Sequence, residues 1–154
     1  MRSKSEIAQE KFLQGYNCAQ AVLIAFCEET GMDERQAARF ASSFGGGMGQ
    51  LHEVCGTLSA MFMAAGAAAG YDDPADKEAK RAHYANIRAL AKAFEDRNGS
   101  ILCRELLKDA KANTEAETDA HLRQLYARRP CLKYVMDAAE LTQAFLTSRP
   151  EKDR

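Results

Sequence analysis

The sequence predicts an all-α protein, and three observations carry that reading. Ala, Glu, Lys, Arg and Leu are frequent while prolines number only three, a composition that favours helix. Apolar residues recur at i, i+3, i+4 and i+7 in several segments, and nowhere does the chain alternate as a half-buried strand would. From Val54 to Ala69 there are sixteen residues without a charge, largely small, which lets neighbouring helices approach from all sides. The predicted architecture is a compact bundle of six or seven helices around this buried Ala- and Met-rich central helix, one domain over residues 1–154. A membrane span is the competing reading of Val54–Ala69, but a span needs roughly 20 strongly apolar residues and this run is short and dominated by Ala and Gly.

The elements follow in order. A mostly polar helix is predicted over about Ser3–Gln14, with Ile7, Ala8, Phe12 and Leu13 as its apolar stripe and Gly15 as its end. Asn17 with Gln20 three residues later reads as a capping box, opening a helix that runs to about Glu29 with Gly31 just beyond. Asp33 with Gln36 repeats the signal for a third helix, whose Ala37, Phe40, Ala41 and Phe44 share a face. Four glycines at 45, 46, 47 and 49 then allow positive φ and a tight turn presenting backbone N–H groups, immediately ahead of the central helix and its stop at Gly70. Asp73-Pro74 reads as an N-cap and first helical position of a long helix with Tyr84, Ile87, Leu90, Ala91 and Phe94 inward, closed by Gly99. Ser100 caps a shorter helix that places Cys103 on its first turn. Lys111–Asp119 reads as a polar loop, about His121–Ala127 as a modest helix, and Pro130 as the start of the last helix, with Leu132, Val135, Met136, Ala139 and Leu146 as its buried stripe. The tail after Arg149 is expected to be mobile.

Composition bounds the function. The chain of 154 residues can bury a sizeable core without disulfides or metal. Twenty-one basic and 22 acidic side chains leave a net charge of −1, so no field attracts nucleic acid or an anionic membrane. The first residues, MRSKSEIAQEKF, are charged throughout and contain no apolar signal segment, which predicts a cytoplasmic protein with reduced thiols. Its five cysteines then need a reason other than a secreted disulfide framework.

On the helix map, Cys18, Cys55, Cys103 and Cys131 each fall near a predicted helix N-terminus, whereas Cys27 does not. Free N–H groups and the helix dipole favour negative charge there, drawing a thiol toward the thiolate that attacks disulfides and binds metals. Arg104, Arg128 and Arg129 would add to this effect if they face the sulfurs. Cys27, nine residues after Cys18, lies about half a turn out of phase and reads as a small core residue. The opposing reading is that all five are buried gap-fillers in a helical scaffold. Spacing argues for neither zinc nor a Cys-x-x-Cys redox pair, since the gaps are 37, 48 and 28 residues, so a shared site has to be assembled by the fold.

These residues resemble a known family of small redox-active proteins named for the cysteine pattern C, GCAxxG, C, C. Tyr16-Asn17-Cys18-Ala19-Gln20-Ala21-Val22 resembles its first cysteine motif, Phe44–Gly49 its glycine loop, and Cys55-Gly56 the start of its Cys-Gly-Ala-x-x-Gly element. Cys103-Arg104-Glu105-Leu106-Leu107 and Cys131, followed by Val135 and Ala138-Ala139-Glu140-Leu141, resemble the last two. The chain departs at Thr57, where the family usually has alanine, and at Ala60, where it usually has the second glycine. The resemblance implies a redox or metal role for Cys18, Cys55, Cys103 and Cys131.

Among the remaining signals, His52 could offer an imidazole beside Cys55 as general base or ligand, and Gly46 and Gly47 could cradle a bound group. The competing reading of His52 is a surface histidine ahead of a helix. His83 and His121 read as exposed, and Met48, Met61 and Met63 as core filling. The glycine loop lacks a Gly-Lys-Ser/Thr ending and follows no strand, which argues against nucleotide binding. The leading expectation is a thiol–disulfide redox protein whose partner is a protein or a small thiol or disulfide, with a homo-oligomer as one possible state. The alternative is a metal-binding protein holding Zn²⁺ or an iron–sulfur cluster through the same four cysteines.

Overall fold

The computed structural model describes residues 2–108 and 120–149, with side chains described outside 109–130. The predicted loop at Lys111–Asp119, the side chains of His121, Arg128 and Arg129, and the tail after Arg149 lie outside the described residues. Among the described residues the chain is all-α: α1 (Lys4–Leu13), α2 (Cys18–Ile24), α3 (Cys27–Thr30), α4 (Glu34–Ala41), a 3₁₀ turn (Ser42–Phe44), α5 (Gly56–Ala69), α6 (Lys77–Asn98), α7 (Cys103–Leu106) and α8 (Ala120–Ser148).

Local chemistry explains most helix starts. Ser3 with Glu6, Asn17 with Gln20, and Asp33 with Gln36 each form a reciprocal capping box, satisfying two otherwise orphaned N–H groups. Gly31 and Gly99 end α3 and α6 in the left-handed conformation, with φ of 73° and 88°. Gly15 follows the α1 cap at φ 109°.

α5 is the centre of the bundle, packed by α2 and α8, with α3 and α6 alongside; α1 lies across α8 and α2, and α4 on α2. Its first turns are buried outright from Gly56 to Met61, and Ala64 and Ala65 continue the buried face. Among the described residues Phe26, Phe94, Leu23, Leu58, Met61, Val22 and Val135 are the large fully buried apolar side chains, each worth about 1.5–3 kcal/mol of transfer from water. Thr142 is fully buried too, its hydroxyl donating to the Ala138 carbonyl at 2.7 Å.

Several sequence expectations are corrected. The helix expected from Asn17 to about Glu29 breaks at Ala25-Phe26, where Phe26 has φ −112° and ψ 29°, so Cys27 becomes the first residue of α3. The 73–76 stretch is a turn in which the Asp73 carboxylate accepts from the Ala75 N–H, and Asp76 is the residue that caps α6. Ser100 accepts the Leu102 N–H without capping α7. α8 runs through Pro130, so the separate helix expected before that residue belongs to the same element and Cys131 lies in its interior. Leu13 and Phe40 are exposed, 63% and 65%, although periodicity placed both inward. His83 is half-buried, and its Nδ1 is buried without a hydrogen-bond partner. Of the methionines read as core, Met48 is exposed.

Between α4 and α5 the backbone reverses hand. Gly45–Met48 closes one turn by hydrogen bonding, yet Gly46 and Gly47 have φ of 66° and 68°. Met48, Gly49 and Gln50 follow with φ of 69°, 59° and 67°, and His52 adds 60°. Three of these six are not glycine, so the turn stores backbone strain that surrounding hydrogen bonds must hold in place. The holding bonds are Gln50 N–H to the Gly45 carbonyl at 3.2 Å, His52 to Gly46 at 3.1 Å and Glu53 to Gly47 at 3.1 Å.

Candidate functional site

Four separate devices carry the cysteines. The Asn17–Gln20 capping box makes Cys18 the first residue of α2. Cys55 is the residue from which α5 departs. An isolated antiparallel bridge between Val54 and Leu102 sets the next pair: Cys55 N–H donates to the Ile101 carbonyl at 2.8 Å, and Cys103 N–H to the Glu53 carbonyl at 2.6 Å. Cys131 sits on α8 one turn before Tyr134, whose hydroxyl donates to the Leu106 carbonyl at 3.0 Å and so ties α8 to α7. The result is one cavity of about 60 Å³ lined by Cys18, Cys55, Cys103 and Cys131, with Gly46, Gly56, Thr57, Leu106, Leu107 and Tyr134. Cys27 is outside it. None of the five cysteines is in a disulfide; Cys55 and Cys103 are buried and the other three half-buried.

Close backbone approach makes this possible. A Cβ on Gly56 would stand 2.5 Å from the Phe44 carbonyl oxygen and 2.9 Å from the Cys18 sulfur. One on Gly47 would stand 2.7 Å from the Cys103 Cβ and 2.8 Å from the Glu53 nitrogen. Neither space admits a methyl group, so these glycines are seats for the two sulfur-bearing side chains as well as turn formers.

The electrostatics differ from the expectation of thiols drawn toward thiolate. Burial pushes the Cys18, Cys27 and Cys103 thiols up from their ordinary range. Cys55, the most enclosed, is pushed up to about 12, by burial first and then by the nearby charge of Cys18. Desolvation outweighs the N-terminal dipole. It is opposed most visibly at Cys18, where the backbone N–H groups of Gly46, Ala19, Cys18 itself and Gly56 act on the sulfur. The Thr57 hydroxyl, 3.0 Å from the Cys55 sulfur, does the same for that thiol on a smaller scale. Charge on Cys18 also raises Cys103, so Cys18 couples to both buried thiols.

His52 is exposed, and its Nδ1 lies 3.6 Å from the sulfur of Cys103, not against Cys55 as its sequence position suggested. Arg104 turns away from the sulfur: its guanidinium donates to the His52 carbonyl at 3.3 Å and pairs with Glu53 at 3.2 Å. Gly46 lines the cavity, while Gly47 packs behind Cys103. Sequence reasoning missed Thr57, Tyr134 and the seating role of Gly56. Thr57 stands out in the sequence only as a departure from the family's alanine; Tyr134 carries one available signal, its place three residues after Cys131 on one helix face.

Among the described residues no group of three or more His, Cys, Asp or Glu side chains is arranged to hold a metal ion. Among the described residues no helix is long and apolar enough to cross a membrane. A family model described as "Putative redox-active protein (C_GCAxxG_C_C)" matches residues 16–145. The chain belongs to that family. In this member of the C_GCAxxG_C_C family the matched span contains all four cavity cysteines and the left-handed turn. No curated protein and no solved structure matches the chain.

Proposed function

We propose that this single helical domain is a cytoplasmic thiol–disulfide redox protein and that the four-cysteine cavity is its reaction centre. The observation that supports this reading is the convergence of four cysteines, none in a disulfide, on one small cavity, with the backbone N–H groups of Gly46, Ala19, Cys18 itself and Gly56 around the Cys18 sulfur. In this reading Cys18 attacks, passing the proton that burial holds on it to the sulfur it displaces, while the backbone N–H groups of Gly46, Ala19 and Gly56 favour the negative charge that forms. It displaces one sulfur of a substrate disulfide, forming a mixed disulfide and releasing a thiol. A second cavity thiol gives up its proton and attacks the Cys18 sulfur, releasing the other half of the substrate and leaving an internal disulfide. Two electrons pass from the two cysteines to the substrate, and a dithiol partner reverses the change.

The metal-holding alternative requires the sulfurs to move together from the arrangement described. Both readings meet one experiment: purification without oxygen, metal analysis, and equilibration in dithiol/disulfide redox buffers with mass mapping of the cysteines. The redox reading expects a pair of cavity thiols to disappear in one reversible step that Cys18→Ser abolishes. Stoichiometric zinc, or visible iron–sulfur absorption with thiols shielded until a chelator is added, overturns it.

A further inference from the structure

The size and walls of the cavity restrict what Cys18 can attack. Sites for drug-sized ligands have volumes of about 300–1,000 Å³. This cavity has about 60 Å³, and a single water needs about 10–15 Å³ of such space, so it takes a few heavy atoms and no folded or peptide disulfide. Leu106, Leu107 and the Tyr134 ring supply apolar wall, and among the described residues no charged side chain lines it. The Thr57 hydroxyl is already engaged with the Cys55 sulfur at 3.0 Å, and the Tyr134 hydroxyl with the Leu106 carbonyl at 3.0 Å. A hydroperoxide would bring two strongly hydrated oxygens against this largely apolar wall, and stripping their water carries a desolvation cost. The sulfane sulfur of a neutral hydropersulfide is soft, polarizable and weakly hydrated, and gives up less on entry.

Accessibility and proton handling divide the cysteines. Cys18 and Cys131 are half-buried while Cys55 and Cys103 are buried, so an incoming sulfur meets the first two ahead of the others, and at Cys18 the backbone N–H groups of Gly46, Ala19 and Gly56 are in place to hold a thiolate. Of the two buried thiols, only Cys103 has an imidazole nitrogen at contact distance, His52 Nδ1 at 3.6 Å.

Resting on the thiol-redox reading above, we propose that the substrate is the sulfane sulfur of a small hydropersulfide or polysulfide, taken by Cys18 and released as hydrosulfide by Cys103 with His52 as its base. In the first step Cys18 attacks the terminal sulfur of R–S–SH, its own proton going to the departing R–S⁻. The bond between the two substrate sulfurs breaks, R–SH leaves, and Cys18 becomes a hydropersulfide, with no net change in electron count. In the second, Cys103 passes its proton to His52 and attacks the inner sulfur on Cys18. The sulfur–sulfur bond of the hydropersulfide breaks, HS⁻ leaves, and a Cys18–Cys103 disulfide forms. The two thiols have supplied the two electrons that reduce the sulfane sulfur, and the proton on His52 goes to the departing hydrosulfide. A dithiol reductant then reopens the disulfide.

The test uses the reduced full-length protein without oxygen, challenged separately with sodium tetrasulfide, hydrogen peroxide and insulin as a protein disulfide, reading sulfide release and mapping each cysteine by mass. Tetrasulfide should release sulfide and produce the Cys18–Cys103 linkage, at least tenfold faster than insulin forms any internal disulfide. Cys103→Ser, with helicity checked by circular dichroism, should stop at one added sulfur on Cys18. His52→Gln should slow the sulfide-releasing step by on the order of 100-fold while the added sulfur accumulates on Cys18. Sulfur added to another cysteine, an unslowed His52→Gln, or insulin or peroxide reacting as fast as tetrasulfide overturns the inference and leaves the redox reading standing. If no oxidant changes any of the four thiols, the redox reading itself falls, and this inference with it.

Discussion

Three glycine-to-alanine substitutions separate backbone strain from steric exclusion at the site. Gly49 has φ 59° and its nearest neighbour to a new Cβ is the Ser43 carbonyl oxygen at 3.8 Å, so Gly49→Ala meets strain alone, about 1 kcal/mol. Gly56 has no positive φ but only 2.5 Å to the Phe44 oxygen, so Gly56→Ala meets crowding alone, about 1–3 kcal/mol less any helix propensity gained. Gly47 has φ 68° and 2.7 Å to the Cys103 Cβ, so Gly47→Ala meets both, about 2–4 kcal/mol. Against a whole-domain stability of about 5–15 kcal/mol this is a large fraction. With a urea slope of about 2 kcal/mol per molar, the midpoint should fall by about 0.5 M for Gly49→Ala and about 1–2 M for Gly47→Ala. Urea unfolding followed by circular dichroism measures both, and alkylation of Cys103 in the folded variants should change with Gly47→Ala only. Equal midpoints for Gly47→Ala and Gly49→Ala would refute the idea that Gly47 seats Cys103.

The pH dependence of stability should carry the signature of Cys55. Its pKa is raised in the folded state, so the native chain holds a proton that the unfolded chain releases above about 9. Stability from this group is therefore intact below pH 9 and lost between 9.0 and about 12, by up to about 4 kcal/mol, and Cys55→Ser should flatten that part of the profile in pH-dependent urea melts. Asn17→Ala removes a capping box and the 3.3 Å bond from its amide to the Ser42 carbonyl, and should destabilise by about 1 kcal/mol, with Asn17→Ser recovering most of it; unchanged thermal midpoints count against the cap. Cys27, raised by burial and by the charges of Glu34 and Asp33, should alkylate slowly at neutral pH, and Cys27→Ser should leave the redox step intact. Loss of that step in a folded Cys27→Ser protein would reassign the site.

What the sequence made legible was local. The Asn17–Gln20 and Asp33–Gln36 boxes need only four residues each to be recognised, and both formed where they were expected. The glycine loop was equally readable, although the left-handed Met48, Gln50 and His52 were not, because strain at non-glycine residues is imposed by neighbours rather than by type. Pro130 misled for the opposite reason: its local preference to start a helix was overridden in α8, which packs against α1 and α5. Phe40 followed a valid helical period, but which side of α4 meets α2 is decided by packing. The direction of the thiol pKa values depends on burial, which outweighs the helix dipole at Cys18, Cys55 and Cys103.

The Val54–Leu102 bridge also sets an order of events during synthesis. Cys55 and Cys103 are 48 residues apart in the chain, and closing a loop of that length costs about 3 kcal/mol of chain entropy beyond the fixed term, before either hydrogen bond of the bridge forms. Cys18 and Cys55 leave the ribosome long before Cys103, and Cys131 later still. A half-made chain therefore holds neither the bridge nor the cavity, and its first two thiols carry none of the geometry that would pair them with the last two. The reactive centre comes into being only with the finished fold, which makes its chemistry a direct reporter of complete folding.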